Sequence, residues 1–136
     1  MENFSPTQAA AMPPAVLAYM GDAVFELFVR EYLLARGACR TARALHRGAT
    51  DLVRARAQAA MARALAGLLT HEEGDILRRG RNAHCGHVPA GAEMADYRWA
   101  TGFESLIGYL YLCGRRERLA ELLSRALCIQ MPGSDG

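Results

Sequence analysis

Two carboxylates fall inside otherwise apolar helical patterns, each beside a glycine. In LAYMGDAVFELFVREYLL the apolar residues Leu17, Met20, Val24, Leu27 and Phe28 recur at helical spacing, and Asp22 follows Gly21 in their midst. Glu104 repeats the arrangement in ATGFESLIGYLYL, flanked by Phe103, Leu106 and Ile107, with Gly108 one turn later on its face. A carboxylate is a poor helix former, and it costs desolvation if the helix packs on all sides. Because glycine has no side chain, Gly21 and Gly108 would let the two helices approach closely. Two acids brought together would repel unless a cation stood between them, and hard oxygen ligands suit a hard divalent ion, most naturally Mg2+. Two plainer readings compete. Arg98 or another arginine could neutralise each acid in a salt bridge, or Ala18, Asp22 and Glu26, at intervals of four, could form an exposed acidic stripe. Gly21 weighs against the stripe, since a glycine inside an exposed helix costs about 1 kcal/mol relative to alanine and returns nothing.

The elements that must hold these acids read as helices throughout, with no run of alternating strand residues, so the expected fold is all-α in a single domain over residues 1–136. After a short N-terminal turn, Pro13 and Pro14 open a helix that runs to about Arg36 and is closed by Gly37. A short helix near Thr41 to His46, with His46 as a cap, precedes a longer one from about Thr50 to Leu69. THEE at Thr70 to Glu73 has the capping-box pattern and predicts a helix through GDILRRGRN. The glycines and Pro89 of AHCGHVPAGAEMA mark a loop of about a dozen residues. Asp96 is expected to cap a helix through YRWATGFESLIGYLYLC, and Gly114 separates it from RRERLAELLSRALCI, with a loose tail from about residue 131.

Composition narrows the setting. The chain is 51% hydrophobic and 22% charged, ordinary for a globular protein. Its start has no basic leader before an apolar run, and no uncharged stretch reaches the roughly 20 residues of a membrane span, so a cytoplasmic protein with no membrane partner is expected. Cys39, Cys85, Cys113 and Cys128 are scattered without a CxxC pair, and read as reduced thiols. His84, Cys85 and His87 in HCGH are a weak zinc signal inside a glycine-rich loop. All 16 basic residues are arginine. From Arg30 to Arg81 eleven arginines face five acids, a net +6, whereas the remainder carries five against nine. A basic middle section fits a polyanion surface, because arginine forks match phosphate oxygens, although a solvated helix face would look the same.

These motifs have a counterpart. YMGDAVFELFVREYLL resembles the signature helix of ribonuclease III catalytic domains, FESLIGYLYL is similar to that family's later helix, and LRRGRNAHCGHVP resembles a segment characteristic of its short subgroup, Mini-ribonuclease III. The likeness runs from about Leu17 to Leu123 with order and spacing intact, and, as for the short subgroup, no double-stranded-RNA-binding domain is expected. It implies a dimeric, all-α ribonuclease III-like domain of about six to seven helices. It assigns Asp22 and Glu104 as the catalytic, metal-holding acids. Two further acids of the longer enzymes are replaced here by Ala18 and Thr101, a reduced set that the short subgroup shares and that leaves the number of ions open.

The resemblance further implies Mg2+-dependent hydrolysis of double-stranded RNA to 5′-phosphate and 3′-hydroxyl ends, with Mn2+ as a substitute ion. Maturation of precursor 23S (large-subunit) ribosomal RNA is the implied role, with a large-subunit ribosomal protein as a partner the sequence leaves open. A-form RNA is read by shape and backbone, so Arg79, Gly80, Arg81 and Asn82 of RRGRN are the RNA-binding candidates. Arg81 and Asn82 stand foremost, with Gly80 permitting close backbone approach; His46 could also contact RNA, although its reading as a helix cap is preferred. A purely structural helix ending is the alternative there, and HCGHVP either drapes over the minor groove or is an ordinary surface connection. The competing function is a catalytically inactive nuclease-like module that binds structured RNA, which Ala18 and Thr101 favour.

Overall fold

Helix starts and stops follow the local chemistry. The structure, a computed structural model, describes residues 3–37, 40–83 and 93–131. Helix α1 (Pro6–Ala10) opens on a capping box between Ser5 and Gln8. Helix α2 (Pro14–Ala35) has proline in its first turn, where a missing N–H is harmless, and Gly37 beyond its end takes a φ of 67°. Helices α3 (Ala42–Val53) and α4 (Ala55–Leu65) follow, with a 3-10 turn at Ala66–Leu68. Helix α5 (His71–Asn82) has the expected Thr70–Glu73 capping box, α6 spans Met94–Leu112, and α7 spans Arg116–Gln130 after Gly114 at φ 73°. The described residues are thus helical almost throughout, and none of their helices is long and apolar enough to cross a membrane.

Three sequence expectations need correction. The helix after Thr41 does not stop at His46: it runs through Gly48, because Ala49 and Leu52 bury its inner face, and it breaks at Arg54, whose ψ is 154°. His46 is therefore an exposed residue within α3 and not a cap. Asp96 is not the cap of α6 either; it lies in the first turn, after Glu93, and its carboxylate meets Arg63 at 3.2 Å. The HCGH histidines and cysteine lie outside the described residues, as does the tail from residue 132.

Helix α6 is the axis of the molecule, packed against α2, α4 and α5. Phe25 of α2 meets Phe103 of α6 edge to face at 5.1 Å, and Leu17, Val29, Met61, Leu106, Ile107, Leu110 and Leu123 complete a continuous core. At the α2–α6 crossing a Cβ on Gly21 would lie 1.8 Å from the Glu104 carbonyl oxygen, and one on Gly108 would lie 2.0 Å from the Leu17 carbonyl oxygen. A second crossing joins α5 to α6, where a Cβ on Gly80 would stand 2.9 Å from Gly102 Cα. Buried Ser105 adds a polar tie, its hydroxyl 2.8 Å from Thr101 O and 3.1 Å from Pro14 O. Below these, Arg118 of α7 forks onto buried Glu73 at 2.9 and 2.8 Å and reaches Leu68 O at 2.9 Å.

Gly21→Ala is expected to destabilise the fold by about 3 kcal/mol, because the obstacle is backbone that cannot rotate away. Gly67→Ala, where a Cβ meets nothing within 4 Å, should stay within about 0.5 kcal/mol of the parent. Urea unfolding of both variants checks the pair, and equal stabilities would show that the helix crossing is not constrained by Gly21.

Candidate active site

The glycine crossing sets the two acids together. Glu104's backbone faces Gly21, so Asp22, the next residue on α2, stands beside the Glu104 side chain and shares a hydrogen bond with it. Asp22 is exposed, whereas Glu104 is largely buried. Burial, followed by the negative charge of Asp22 and the hydrogen bond between them, pushes the Glu104 carboxyl up to about 8. One group opposes this. Gln58 of α4, 2% exposed, donates from Nε2 to Val53 O at 2.8 Å and to Glu104 Oε2 at 3.4 Å.

Neither plain reading of the acids describes what is seen. Among the described residues no arginine pairs with Asp22 or Glu104, and Glu26 is taken by Arg30 at 2.8 Å. Ala18 is buried, so positions 18, 22 and 26 do not form an exposed stripe. The donor set fits a hard divalent ion: two neighbouring carboxylates, one open to solvent, with no cation of the described residues paired to either. The described residues hold no group of three or more histidine, cysteine, aspartate or glutamate side chains that could bind a metal. Ala18 contributes no oxygen, and the Thr101 hydroxyl is used on Tyr97 O at 2.9 Å. Among the described residues the pair would offer two ligands, and a bound ion would take its remaining oxygens from solvent or substrate.

The RRGRN residues divide. Arg78 pairs with Asp75, Arg79 is half-buried, and Asn82 is exposed at the end of α5. Gly80 is buried, and the close backbone approach seen here is to Gly102 and Ser105 of α6. The Arg81 guanidinium stacks over Trp99 at 4.8 Å, and Arg63 of α4 lies over the same ring at 5.4 Å. Sequence reasoning missed both Arg63 and Gln58. A signal for Gln58 was present: it shares a helical face with Met61, Ala62 and Leu65 in an alanine-rich stretch, a polar group on an apolar stripe.

The position of the Glu104 proton makes stability pH-dependent. With its folded pKa raised from the usual 4.5 to about 8, the folded protein holds a proton that the unfolded chain releases. The stabilising contribution is therefore complete below about 4.5 and is lost as pH rises through about 8. Glu104→Gln mimics the protonated form. In chelator it is expected to match the parent at low pH and to exceed it near pH 8 by on the order of 2 kcal/mol. Chemical unfolding at the two pH values checks this, and a variant no more stable than the parent at high pH would refute it.

Comparison with known proteins places this geometry. The ribonuclease III domain profile matches residues 15–115. Mini-ribonuclease 3 of Symbiobacterium thermophilum is 52% identical over 85% of this chain and 88% of its own, and that of Enterococcus faecalis is 47% identical over 86% and 88%. The Brevibacillus brevis protein of the same name is 45% identical over 85% and 86%. A crystal structure of a Fusobacterium nucleatum protein superposes with a TM-score of 0.77 at 25% identity, covering 88% of this chain and 95% of that one. A 101-residue domain match and relatives of this identity over most of both chains leave one assignment: the chain belongs to the ribonuclease III family, in its Mini-ribonuclease 3 group.

Proposed function

We propose that this ribonuclease III-family endoribonuclease hydrolyses double-stranded RNA with Asp22 and Glu104 as the acids that hold a divalent ion, most naturally Mg2+ and alternatively Mn2+. The supporting observation is that the helix crossing sets those two carboxylates side by side, with no cation among the described residues paired to either. When bound, such an ion supplies a water of lowered pKa and offsets charge developing on the phosphate. Asp22 faces solvent and can meet the incoming backbone, while Glu104 is held from behind by α4 and α6. The products are 5′-phosphate and 3′-hydroxyl ends.

Binding calls on the basic side of the molecule. Arg81 and Arg63, stacked on Trp99, together with Arg79 and Asn82 at the end of α5, offer phosphate and sugar contacts at the opening turns of α6. The second strand calls for a second copy. Along the outer side of α2, Val16, Tyr19, Ala23, Leu27 and Leu34 are exposed, with Tyr19 81% and Leu27 60% accessible. That apolar stripe at helical spacing supports a two-fold homodimer with one site for each strand. Precursor 23S ribosomal RNA is the substrate of the reading, in the cytoplasm of a bacterium, and a large-subunit ribosomal protein is a candidate partner in presenting it.

The deciding assay incubates the protein with labelled duplex and single-stranded RNA in Mg2+ or EDTA. Expected are cleavage of the duplex only, dependence on the ion, and preference for a duplex from the ends of precursor large-subunit RNA over an unrelated one. Asp22→Asn should lower the rate about 1000-fold while duplex affinity in EDTA and folding persist. Salt-sensitive RNA binding with no cleavage in Mg2+ or Mn2+ would instead select the inactive binding module.

The interface is checked separately by sedimentation equilibrium. The parent should sediment as a dimer and Leu27→Glu as a monomer; a monomeric parent would remove the two-fold arrangement.

A further inference from the structure

Gln58 carries more structure than a surface glutamine and less satisfaction than a core residue. It stands in the first turns of α4, 2% exposed, just past the break at Arg54. That break leaves the carbonyl of Val53, the last residue of α3, facing the Gln58 side chain, which caps it at 2.8 Å. The same nitrogen reaches Glu104 Oε2 at 3.4 Å. Both neighbours are acceptors, so the amide can be placed only with its NH2 toward them; the flipped orientation would set oxygen against oxygen on two sides. The other end, Oε1, is buried with no hydrogen-bond partner. An unmet buried acceptor works against stability, and a leucine or methionine there would avoid it.

We infer that Gln58 is a positioning residue for the two-carboxylate site, using Val53 O as a fixed anchor to hold Glu104 Oε2 in the orientation in which Glu104 meets Asp22 and a divalent ion. This rests on the proposed role of Asp22 and Glu104. The anchor is what makes positioning possible: a glutamine side chain has three rotatable bonds, and a bond from Nε2 to a helix-end carbonyl removes that freedom before Glu104 is engaged. At 3.4 Å the contact is at the long end for a hydrogen bond, so the anchor at 2.8 Å is the tighter of the two and sets where the amide stands. On its own helix face Glu104 is flanked by Ala100, Thr101, Ile107 and Gly108, and the Thr101 hydroxyl already donates to Tyr97 O at 2.9 Å. No other described side chain donates to it.

The test measures the ion directly, apart from catalysis. Mn2+ binding to the full-length protein is followed by electron paramagnetic resonance, alongside the Mg2+ concentration that gives half-maximal duplex cleavage. Gln58→Met keeps the volume and removes both hydrogen bonds. It is expected to weaken Mn2+ binding about 10-fold and to raise the half-maximal Mg2+ concentration by a similar factor, with the rate largely recovered at saturating Mg2+. Duplex affinity in EDTA and the unfolding midpoint should change little. Gln58→Asn, too short to reach Glu104 from its anchor, should show the same shift and guards against a folding defect peculiar to methionine. Parent-like Mn2+ affinity and Mg2+ dependence in both variants would overturn the inference, as would losses that only track the fraction folded. A parent protein that neither binds Mn2+ nor cleaves would instead overturn the two-carboxylate reading itself, and this inference with it.

Discussion

The crossing of α2 and α6 is the constraint from which the rest follows. It is reciprocal: Gly21 takes the carbonyl of Glu104, and Gly108 takes the carbonyl of Leu17. On each helix the glycine and the donated carbonyl are four residues apart, so the contact fixes register as well as distance. Sliding one helix by a single residue would drive a side chain into backbone. The position of Asp22 relative to Glu104 is thereby set by main-chain geometry, which is far stiffer than side-chain packing. A site built this way needs no loop to hold its two acids in place, and it places both on helices of the core.

Two glutamates of this protein show that burial alone does not fix an acid's charge. Glu73 is 2% exposed, yet its carboxyl is pulled below the usual range, first by the hydrogen bonds from the Arg118 fork. Glu104 is pushed up, because its neighbour is a second carboxylate. The chain has 16 arginines, and one of them settles Glu73 while none among the described residues reaches Glu104. A fold selected for stability alone would have treated the two alike. The uncompensated pair beside solvent is the observation on which the proposed metal role of Asp22 and Glu104 rests.

The legible part of this structure was the part written in short range. Ser, Thr, Pro and Gly at helix ends gave α2, α5 and α7 nearly to the residue, because caps and left-handed termini depend on a few adjacent groups. The meeting of Asp22 and Glu104 was also legible, since a glycine in mid-helix beside an acid has few explanations other than close approach. The break at Arg54 was not, because Gly48 looks like the better breaker until the burial of Ala49 and Leu52 outweighs it. Asp96 looked like a cap, and instead serves Arg63 from a different helix. Gln58 and Arg118 act over 46 and 45 residues of sequence, and no local pattern names such partners.

Helix α2 joins these strands of argument. Its inner residues Leu17, Phe25 and Val29 bury in the core, Gly21 carries the crossing, Asp22 faces the site, and Tyr19 and Leu27 lie exposed on its outer side. The core packing, the proposed metal site and the proposed dimer face therefore all draw on one helix. The basic cluster is organised on the same principle. Trp99 precedes Glu104 by five residues on α6, an axial rise of about 7.5 Å. The Arg81 guanidinium lies over the Trp99 ring at 4.8 Å and pairs with no carboxylate among the described residues, so the indole holds it without neutralising its charge. The helix that positions this guanidinium is the one that carries Glu104, so the basic cluster and the acid pair share one rigid support.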